Sequence, residues 1–263
     1  GVDIKGVVKD SDQPDTRITL QATGGITYGK WTAFVGGLSQ TYGKSDNDGL
    51  NTQVVYFGGS GRWNLGGTRD FVLTYVFTDL NVGGNDYAQM HTISPAFELK
   101  SETDKADKTH TFALDLTSKN FASDTQTDGG QYAVRWGYKR VNKDKLNQFE
   151  SVIAVGNSTE GDKLDDYTYL GANFDWINRW EKGFRWDIGF GFEYRSFPND
   201  DQPLTKELFG ETRVDTLWRL SSGVGWQFNQ KWSAMFNYRY LTDISNKAPY
   251  VRPIYGVTVD GAF

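Results

Sequence analysis

Charged residues recur at alternate positions in the second half of the chain, and these side chains have the clearest chemical potential. The basic ones are Arg135, Lys139, Arg185, Arg195, Arg213, Arg219, Arg239 and Arg252, and the acidic ones among them are Asp187, Glu193 and Asp215. A planar guanidinium matches the geometry of carboxylates and phosphates, so such a row could bind anionic solutes. The same residues could instead neutralise one another in a network that stiffens a wall. The sequence leaves both interpretations open.

Residues for catalysis or metal binding are scarce. The chain has two histidines and no cysteine. Thr92 and Ser94 lie near His91, but in a strand they face the side opposite to His91, where a nucleophile and its base cannot meet. His110 falls at the other end of its own strand and cannot join His91 in one site. We therefore expect no catalytic residue, no metal site and no cofactor.

Composition narrows the class of protein. The 263 residues carry a net charge of -5, which argues against nucleic acid as a partner. No run approaches the roughly 18 apolar residues of a transmembrane helix, and the mean hydropathy is -0.57. That low value does not exclude a membrane protein, because strands that alternate apolar and polar residues average out as polar. No linker divides the chain, so we predict one domain over residues 1–263.

Alternation with a period of two is the dominant pattern, and it identifies the elements that position the charged residues. From Phe184 to Arg195, six bulky apolar residues alternate with charged residues and glycines, which is typical of a strand with one apolar and one polar face. Fourteen segments follow this pattern, the weakest being 2–9 and 149–157. The sequence thus predicts an all-β fold, a transmembrane antiparallel up-and-down barrel of about fourteen strands. The count becomes twelve or sixteen if the weak segments or the long loops are misassigned.

Connections between these segments alternate in length. Tight turns are predicted at 28–30, 65–68, 142–145, 180–183 and 229–231, and longer, mostly acidic loops at 44–49, 81–87, 123–130, 158–166, 198–211 and 242–248. The charged segment 101–108 is an exception, because it is long where a short turn is expected. Barrels of the bacterial outer membrane have short periplasmic turns and long extracellular loops. We therefore expect both termini on the periplasmic side.

Aromatic residues cluster near both sets of connections. Tryptophans lie beside the short turns at positions 31, 63, 180, 226 and 232, and tyrosines lie towards the long loops at positions 42, 87, 167, 194 and 240. Such clusters match the aromatic girdles of membrane barrels. The alternative is a soluble β-sandwich, whose apolar faces meet each other and need no girdles.

The C-terminal segment carries a family resemblance. Tyr255, Val257, Val259 and Phe263 alternate and end the chain on phenylalanine, which resembles the terminal strand that the barrel assembly machinery recognises in outer-membrane proteins. Across the chain the pattern is similar to monomeric porins of the OmpG and oligogalacturonate-channel (KdgM-like) kind. This resemblance implies a location in the outer membrane, contact with its lipid and lipopolysaccharide, and small hydrophilic solutes as cargo.

Three functions fit the sequence to different degrees. A channel for passive diffusion of small hydrophilic solutes, anionic ones or oligosaccharides among them, is favoured by the polar face of the strands. A barrel that exports polypeptide or polysaccharide, as part of a longer protein, needs the same kind of lumen and is the first alternative. An outer-membrane hydrolase is the second.

Overall fold

The structure is a computed structural model that describes residues 2–10, 13–15, 17–43, 49, 51–122, 128–144, 146–160, 162–180, 183–200, 212–228, 232–245 and 250–261. The strands in chain order are β1 Val2–Asp10, β2 Gln13–Asp15, β3 Arg17–Tyr28, β4 Trp31–Tyr42, β5 Thr52–Asn64, β6 Arg69–Val82, β7 Asn85–Glu102, β8 Ala106–Phe121, β9 Gly129–Asn142, β10 Asn147–Thr159, β11 Tyr167–Arg179, β12 Phe184–Phe197, β13 Arg213–Gln227, β14 Trp232–Ser245 and β15 Tyr250–Gly261. A short 3-10 helix, Lys163–Asp165, precedes β11. Across these ranges no helix has the length and apolar character to cross a membrane.

The strands form one antiparallel sheet whose pairings return to their starting point. Each strand from β4 to β14 pairs with both of its sequence neighbours, β3 pairs with β4 and β1, and β15 pairs with β14 on one side and with β1 on the other. Val2 lies opposite Val259, so β1 begins where β15 ends. Apart from the three-residue β2, fourteen long strands build the ring. The predicted up-and-down barrel and its strand count are confirmed.

Large apolar side chains lie on the outside of this ring. Tyr132, Val134 and Val155 are 55–58% exposed, and the described residues include many more such side chains. The buried apolar set among the described residues is small by comparison, namely Ala88, Ala106, Ala113, Ala133, Phe197 and Ile254. A water-soluble protein rarely exposes apolar patches beyond a few hundred Å². The soluble sandwich is therefore wrong, because its apolar faces would be buried against each other.

The strand register separates the two faces along every row. On the outside, Val155 lies opposite Val134, which lies opposite Leu114. One residue along each strand, the inner row runs from Ala154 to Arg135 and on to Ala113 in the same strands. Because side chains alternate across a strand, this register assigns each residue of a strand to the inner or the outer face.

One predicted exception disappears in the structure. Segment 101–108 is not a long connection, because β7 and β8 extend into it and leave only a turn at 103–105, closed by the backbone N–H of Thr103 donating to the Ala106 carbonyl at 3.0 Å. Lys143, in the neighbouring turn, pairs with Asp107 at 2.8 Å and with Glu102. Hydrogen bonds to these carboxylates, Asp107 first, raise the pKa of Lys143. Charge pairing thus lets charged residues remain within the strand ends.

The prediction of a long loop at 81–87 is wrong. β6 runs to Val82 and β7 starts at Asn85, so only Gly83 and Gly84 connect them, with φ of 62° and 81°. Two successive residues with positive φ form the two-residue hairpin turn whose twist matches that of the strands, and glycine adopts it without a steric penalty. The other long connections fall between strands at 43–51, 122–128, 160–166, 198–212 and 246–249. We call this the long-loop end and the opposite end the short-turn end.

Val134→Arg tests whether the apolar outer face meets lipid. If it does, the arginine should lower the free energy of unfolding by about 2–4 kcal/mol near the bilayer centre. An exposed valine in water would tolerate the change to within about 0.5 kcal/mol. Denaturant unfolding in lipid vesicles, followed by tryptophan fluorescence, measures the difference. Val134→Leu is the control and should leave stability almost unchanged; an arginine variant as stable as this control would contradict a lipid-facing position.

Candidate functional site

The predicted charged residues lie together on the inner face of the ring. By strand register they occupy the face opposite to the exposed apolar side chains, in β9 and in β12 to β14. This holds for Arg135, Lys139, Arg185, Arg195, Arg213, Arg219, Arg239, Asp187, Glu193 and Asp215. Arg252 lies opposite Leu241 in the backbone register, and its side chain is outside the described part of the chain. The structure therefore brings the row together on one wall.

Three of these arginines are paired with a carboxylate two residues away on the same strand. Arg185 donates to Asp187 at 2.5 and 2.8 Å, and Arg195 donates to Glu193 at 2.5 Å. Arg213 donates to Asp215 at 2.6 and 3.1 Å. Residues two apart on a strand share a face and lie about 6.5–7 Å apart, a distance that an arginine side chain can span. Much of the positive charge on this wall is thus neutralised locally.

Two further cations pair across strands. Arg135 of β9 meets Asp115 of β8 at 3.2 Å. Lys139 of β9 meets Glu150 of β10 at 2.6 Å. These pairs connect neighbouring strands on the inner face, where carboxylates and cations alternate. The neutralising network, which the sequence left as one of two interpretations, accounts for these contacts.

Arg219 is held differently. Its guanidinium donates at 2.5 Å to the amide oxygen of Asn173, on β11, and crosses the intervening strand β12. The crossing is possible because β12 has Gly191 at that point: a Cβ there would lie 2.7 Å from the Asn173 oxygen and 3.2 Å from the Arg219 Nε. Because an amide carries no net charge, this hydrogen bond leaves the positive charge of Arg219 without local compensation from Asn173.

At the long-loop end of the wall, charged side chains are buried and in contact with aromatic rings. Asp215 is 1% exposed and accepts from Ser245 at 2.5 Å as well as from Arg213. The Arg213 guanidinium stacks 4.2 Å from the Phe197 ring centre. Arg195 lies 5.0 Å from the Tyr167 ring centre in the same way. Stacking and ion pairing together hold both guanidinium planes in place.

A second charged cluster lies on the inner face near the short-turn end, and the sequence prediction missed it. Arg62 donates to Glu98 at 2.6 and 3.1 Å and to Asp70 at 2.8 Å. Asp70, which is 5% exposed, also accepts from Lys100 at 2.5 Å and from Asn64 at 2.9 Å. The same alternation that located the arginines of the second half places these residues inward. The signal was present, but the contacts join β5, β6 and β7 and depend on register.

Two tyrosines assigned to the outer girdle face inward instead. Tyr42 lies opposite Arg17, on the inner face of β4. Tyr167 packs against Phe197 with 5.3 Å between ring centres, also inside. Their nearness to a loop in the sequence correctly predicted their position along the barrel axis. It did not predict whether they face inward or outward, which depends on odd or even position along the strand. Tyr194 and Tyr240 do occupy the outer face by register.

The histidines lie outside and apart from the hydroxyls near them. His91 shares a hydrogen bond of 2.9 Å between its Nδ1 and the Tyr75 hydroxyl on the outer face. Thr92 faces inward and shares a hydrogen bond of 2.9 Å with Thr117. His110 stacks on Trp136 with 6.0 Å between ring centres. Within the described ranges no group of three or more His, Cys, Asp or Glu residues could hold a metal ion.

The C-terminal alternation continues into the last strand. Tyr255 and Val257 are 48% and 46% exposed on the outer face of β15. Val259 belongs to the same strand, but its side chain is outside the described part of the chain, and so is Phe263. Recognition of these residues by an assembly machinery stays a prediction.

Comparisons with known proteins agree on the fold. The chain is similar to a bacterial polysaccharide outer membrane secretin, with 7% identity, a TM-score of 0.50, and coverage of 100% of this chain and 98% of that chain. The chain is also similar to an outer membrane channel from Pseudomonas putida F1, with 10% identity, a TM-score of 0.51, and coverage of 99% of this chain and 95% of that chain. For OpdK of Pseudomonas aeruginosa, solved with vanillate, the identity is 8%, the TM-score is 0.50, and the coverage is 99% of this chain and 97% of that chain. No family model and no curated protein sequence matches the chain. The fold is thus that of outer-membrane β-barrels.

Asp70→Ala tests the cluster near the short-turn end. Removing this buried carboxylate leaves Arg62 and Lys100 without their shared acceptor, so we expect a loss of roughly 1–3 kcal/mol in the free energy of unfolding. Glu102→Ala is the matched control, because Glu102 lies at the same end and is 77% exposed, and exposed pairs contribute little. Denaturant unfolding of both variants measures the effect. Equal stability of the two variants would show that the cluster is not held by Asp70.

Proposed function

We propose that the protein is a channel of the bacterial outer membrane for passive diffusion of small hydrophilic solutes. The observation that carries this proposal is the distribution of side chains in the ring: large apolar side chains lie outside and ion pairs lie inside. A membrane barrel needs an apolar surface towards lipid, and a water-filled path needs polar walls. The similar folds of outer-membrane channels support the same function.

The number of strands suits a channel of limited width. Barrels of eight strands are filled by their own side chains, whereas those of sixteen to eighteen strands leave an aqueous pore. Fourteen long strands lie between these cases. Long arginine and tyrosine side chains on the inner face narrow the space further, which favours small solutes over folded polymers.

Anion preference is the finer part of the proposal and depends on Arg219. Most arginines of the predicted row are compensated by carboxylates, so a strong anion preference does not follow from their number. Arg219 makes its hydrogen bond to an amide instead, although the Asp175 carboxylate also interacts with it electrostatically, and a cation in the middle of β13 that no carboxylate binds directly favours anionic solutes at that level. We propose a weak anion preference along the wall formed by β11 to β14.

Orientation follows from the lengths of the connections. We propose that the short-turn end faces the periplasm and the long-loop end the outside of the cell, because barrels of the outer membrane have short periplasmic turns and long extracellular loops. The start of β1 and the finish of β15 are both at the short-turn end, and in this orientation both lie on the periplasmic side. Outer-membrane lipid, lipopolysaccharide and, during biogenesis, the barrel assembly machinery are the expected partners.

Export is the second candidate, and hydrolysis is disfavoured. The likeness to a polysaccharide secretin extends over both chains almost completely, so export of a polymer would use the same ring. A hydrolase needs a base beside a nucleophile, whereas His91 is bound to Tyr75 on the outer face and Thr92 lies inside. We therefore propose a channel rather than a hydrolase.

Single-channel recording in planar lipid bilayers tests the proposed function. We expect discrete conductance steps with a weak preference for chloride over potassium. Arg219→Glu should lower the chloride-to-potassium permeability ratio several-fold, because it replaces a positive charge on the inner face by a negative one. Arg69→Glu is the matched control: Arg69 lies on the outer face opposite Leu99, and its reversal should leave selectivity unchanged.

Two outcomes would contradict parts of this proposal. Bilayers that stay silent although the protein has inserted would contradict an open diffusion channel and would favour the export candidate. An unchanged permeability ratio in the Arg219 variant would contradict a solute path along this wall, while leaving the channel itself intact.

A further inference from the structure

Two basic residues face each other on the outer surface near the short-turn end. Lys108 of β8 lies directly opposite Arg140 of β9 in the strand register. Both are on the outer face, two residues inside the strand end, and Arg140 is exposed to solvent while Lys108 is partly exposed. Among the described residues, neither side chain has a hydrogen bond or an ion pair. This contrasts with Arg135 and Lys139 on the inner face of β9, which pair with Asp115 and Glu150.

Like charges directly opposite each other on a sheet are destabilising. The penalty grows where the surroundings have a low dielectric constant, as at the border of a lipid bilayer. An anion bound between the two cations would remove the repulsion. The pair is therefore better explained as one half of a binding site than as a feature of the sheet alone.

The surroundings of the pair have the polarity of a lipid headgroup site. On the β10 side of Arg140, a recess of about 460 Å³ is lined by the polar residues Asn142 and Asn147, by Phe149 and Trp176, and by Gln148, whose side chain turns inward to Glu150. One step further from the turn, the His110 ring stacks against Trp136 and Tyr138, with centres 6.0 and 5.0 Å away. Aromatic rings at this height are typical of the membrane interface.

We propose that Lys108, Arg140 and the adjoining recess bind the phosphate of a phospholipid headgroup. The site rests on the proposed function, because it requires the outer face to meet a membrane. Guanidinium and ammonium groups are the phosphate ligands of proteins, and the aromatic floor suits the first part of an acyl chain. The source is the phospholipid of the periplasmic leaflet rather than lipid A, because the site lies at the short-turn end, opposite the long loops.

Native mass spectrometry tests the site by measuring how much of each lipid stays bound to the protein. The protein is purified in detergent and mixed with palmitoyl-oleoyl phosphatidylglycerol, with dioleoylglycerol, which lacks a phosphate, or with lipid A. The test variant is the double substitution Lys108→Gln and Arg140→Gln, and Arg69→Gln, an outer-face cation opposite Leu99 at the same end, is the matched control. Heat-modifiable migration on gels verifies that each variant is folded.

We expect the double variant to retain roughly ten- to thirty-fold less phosphatidylglycerol than the parent, the effect of about two basic residues at an anionic lipid surface. The control should retain as much as the parent, and dioleoylglycerol should bind weakly to all three. Equal retention by the double variant and the parent would overturn the site. Stronger retention of lipid A than of phosphatidylglycerol would overturn the choice of lipid.

Channel recordings on the same preparations separate this inference from the proposed function. The double variant should conduct like the parent, because both substituted residues are on the outer face. Equal retention of phosphatidylglycerol by the double variant and the parent, with normal conductance, would overturn the site alone. Silent bilayers with normal lipid retention would contradict the channel alone.

Discussion

The hydrogen bonds between β1 and β15 are the constraint on which the rest of the structure depends. In a bilayer no water is available to the backbone, so an open sheet would leave a row of unpaired N–H and C=O groups at each edge. The pairing of Val2 with Val259 and of Ile4 with Val257 joins the two edges. Once the ring is closed, every strand has an inside and an outside, and the alternating apolar and polar residues face one or the other.

Closure also determines what the charged residues do. On a flat sheet Arg62, Asp70 and Glu98 would project from three neighbouring strands into water, where pairs of this kind contribute little. On the concave face their side chains converge, and Asp70 becomes 5% exposed. The same convergence lets Arg219 cross Gly191 to reach Asn173. The wall is thus a network of paired charges, in which Arg219 makes its hydrogen bond to an amide rather than to a carboxylate.

The outer face differs from the inner face in its residue types. Apolar and aromatic residues dominate there, and a charge on it is expected only where lipid headgroups begin. Lys108 and Arg140 are consistent with that rule, since they lie two residues inside the strand ends. The inner and outer cations of β9 illustrate the contrast: Lys139 pairs with Glu150, whereas its neighbour Arg140 faces a second cation.

Sequence alone predicted the fold class, a count of about fourteen strands and the face of each residue in the clearest strands, because alternation is a property of a single extended segment. It therefore located Arg185, Arg195 and Arg213 together with partners two residues away. Only the tertiary structure decided what depends on register and closure, since cross-strand pairing joins residues far apart in sequence. Thus the contact of Arg62 with Glu98, the inward position of Tyr167 and the opposition of Lys108 to Arg140 became visible in the assembled ring. The extension of β7 and β8 through the charged segment 101–108 was decided in the same way, because each residue there is paired with one on a neighbouring strand.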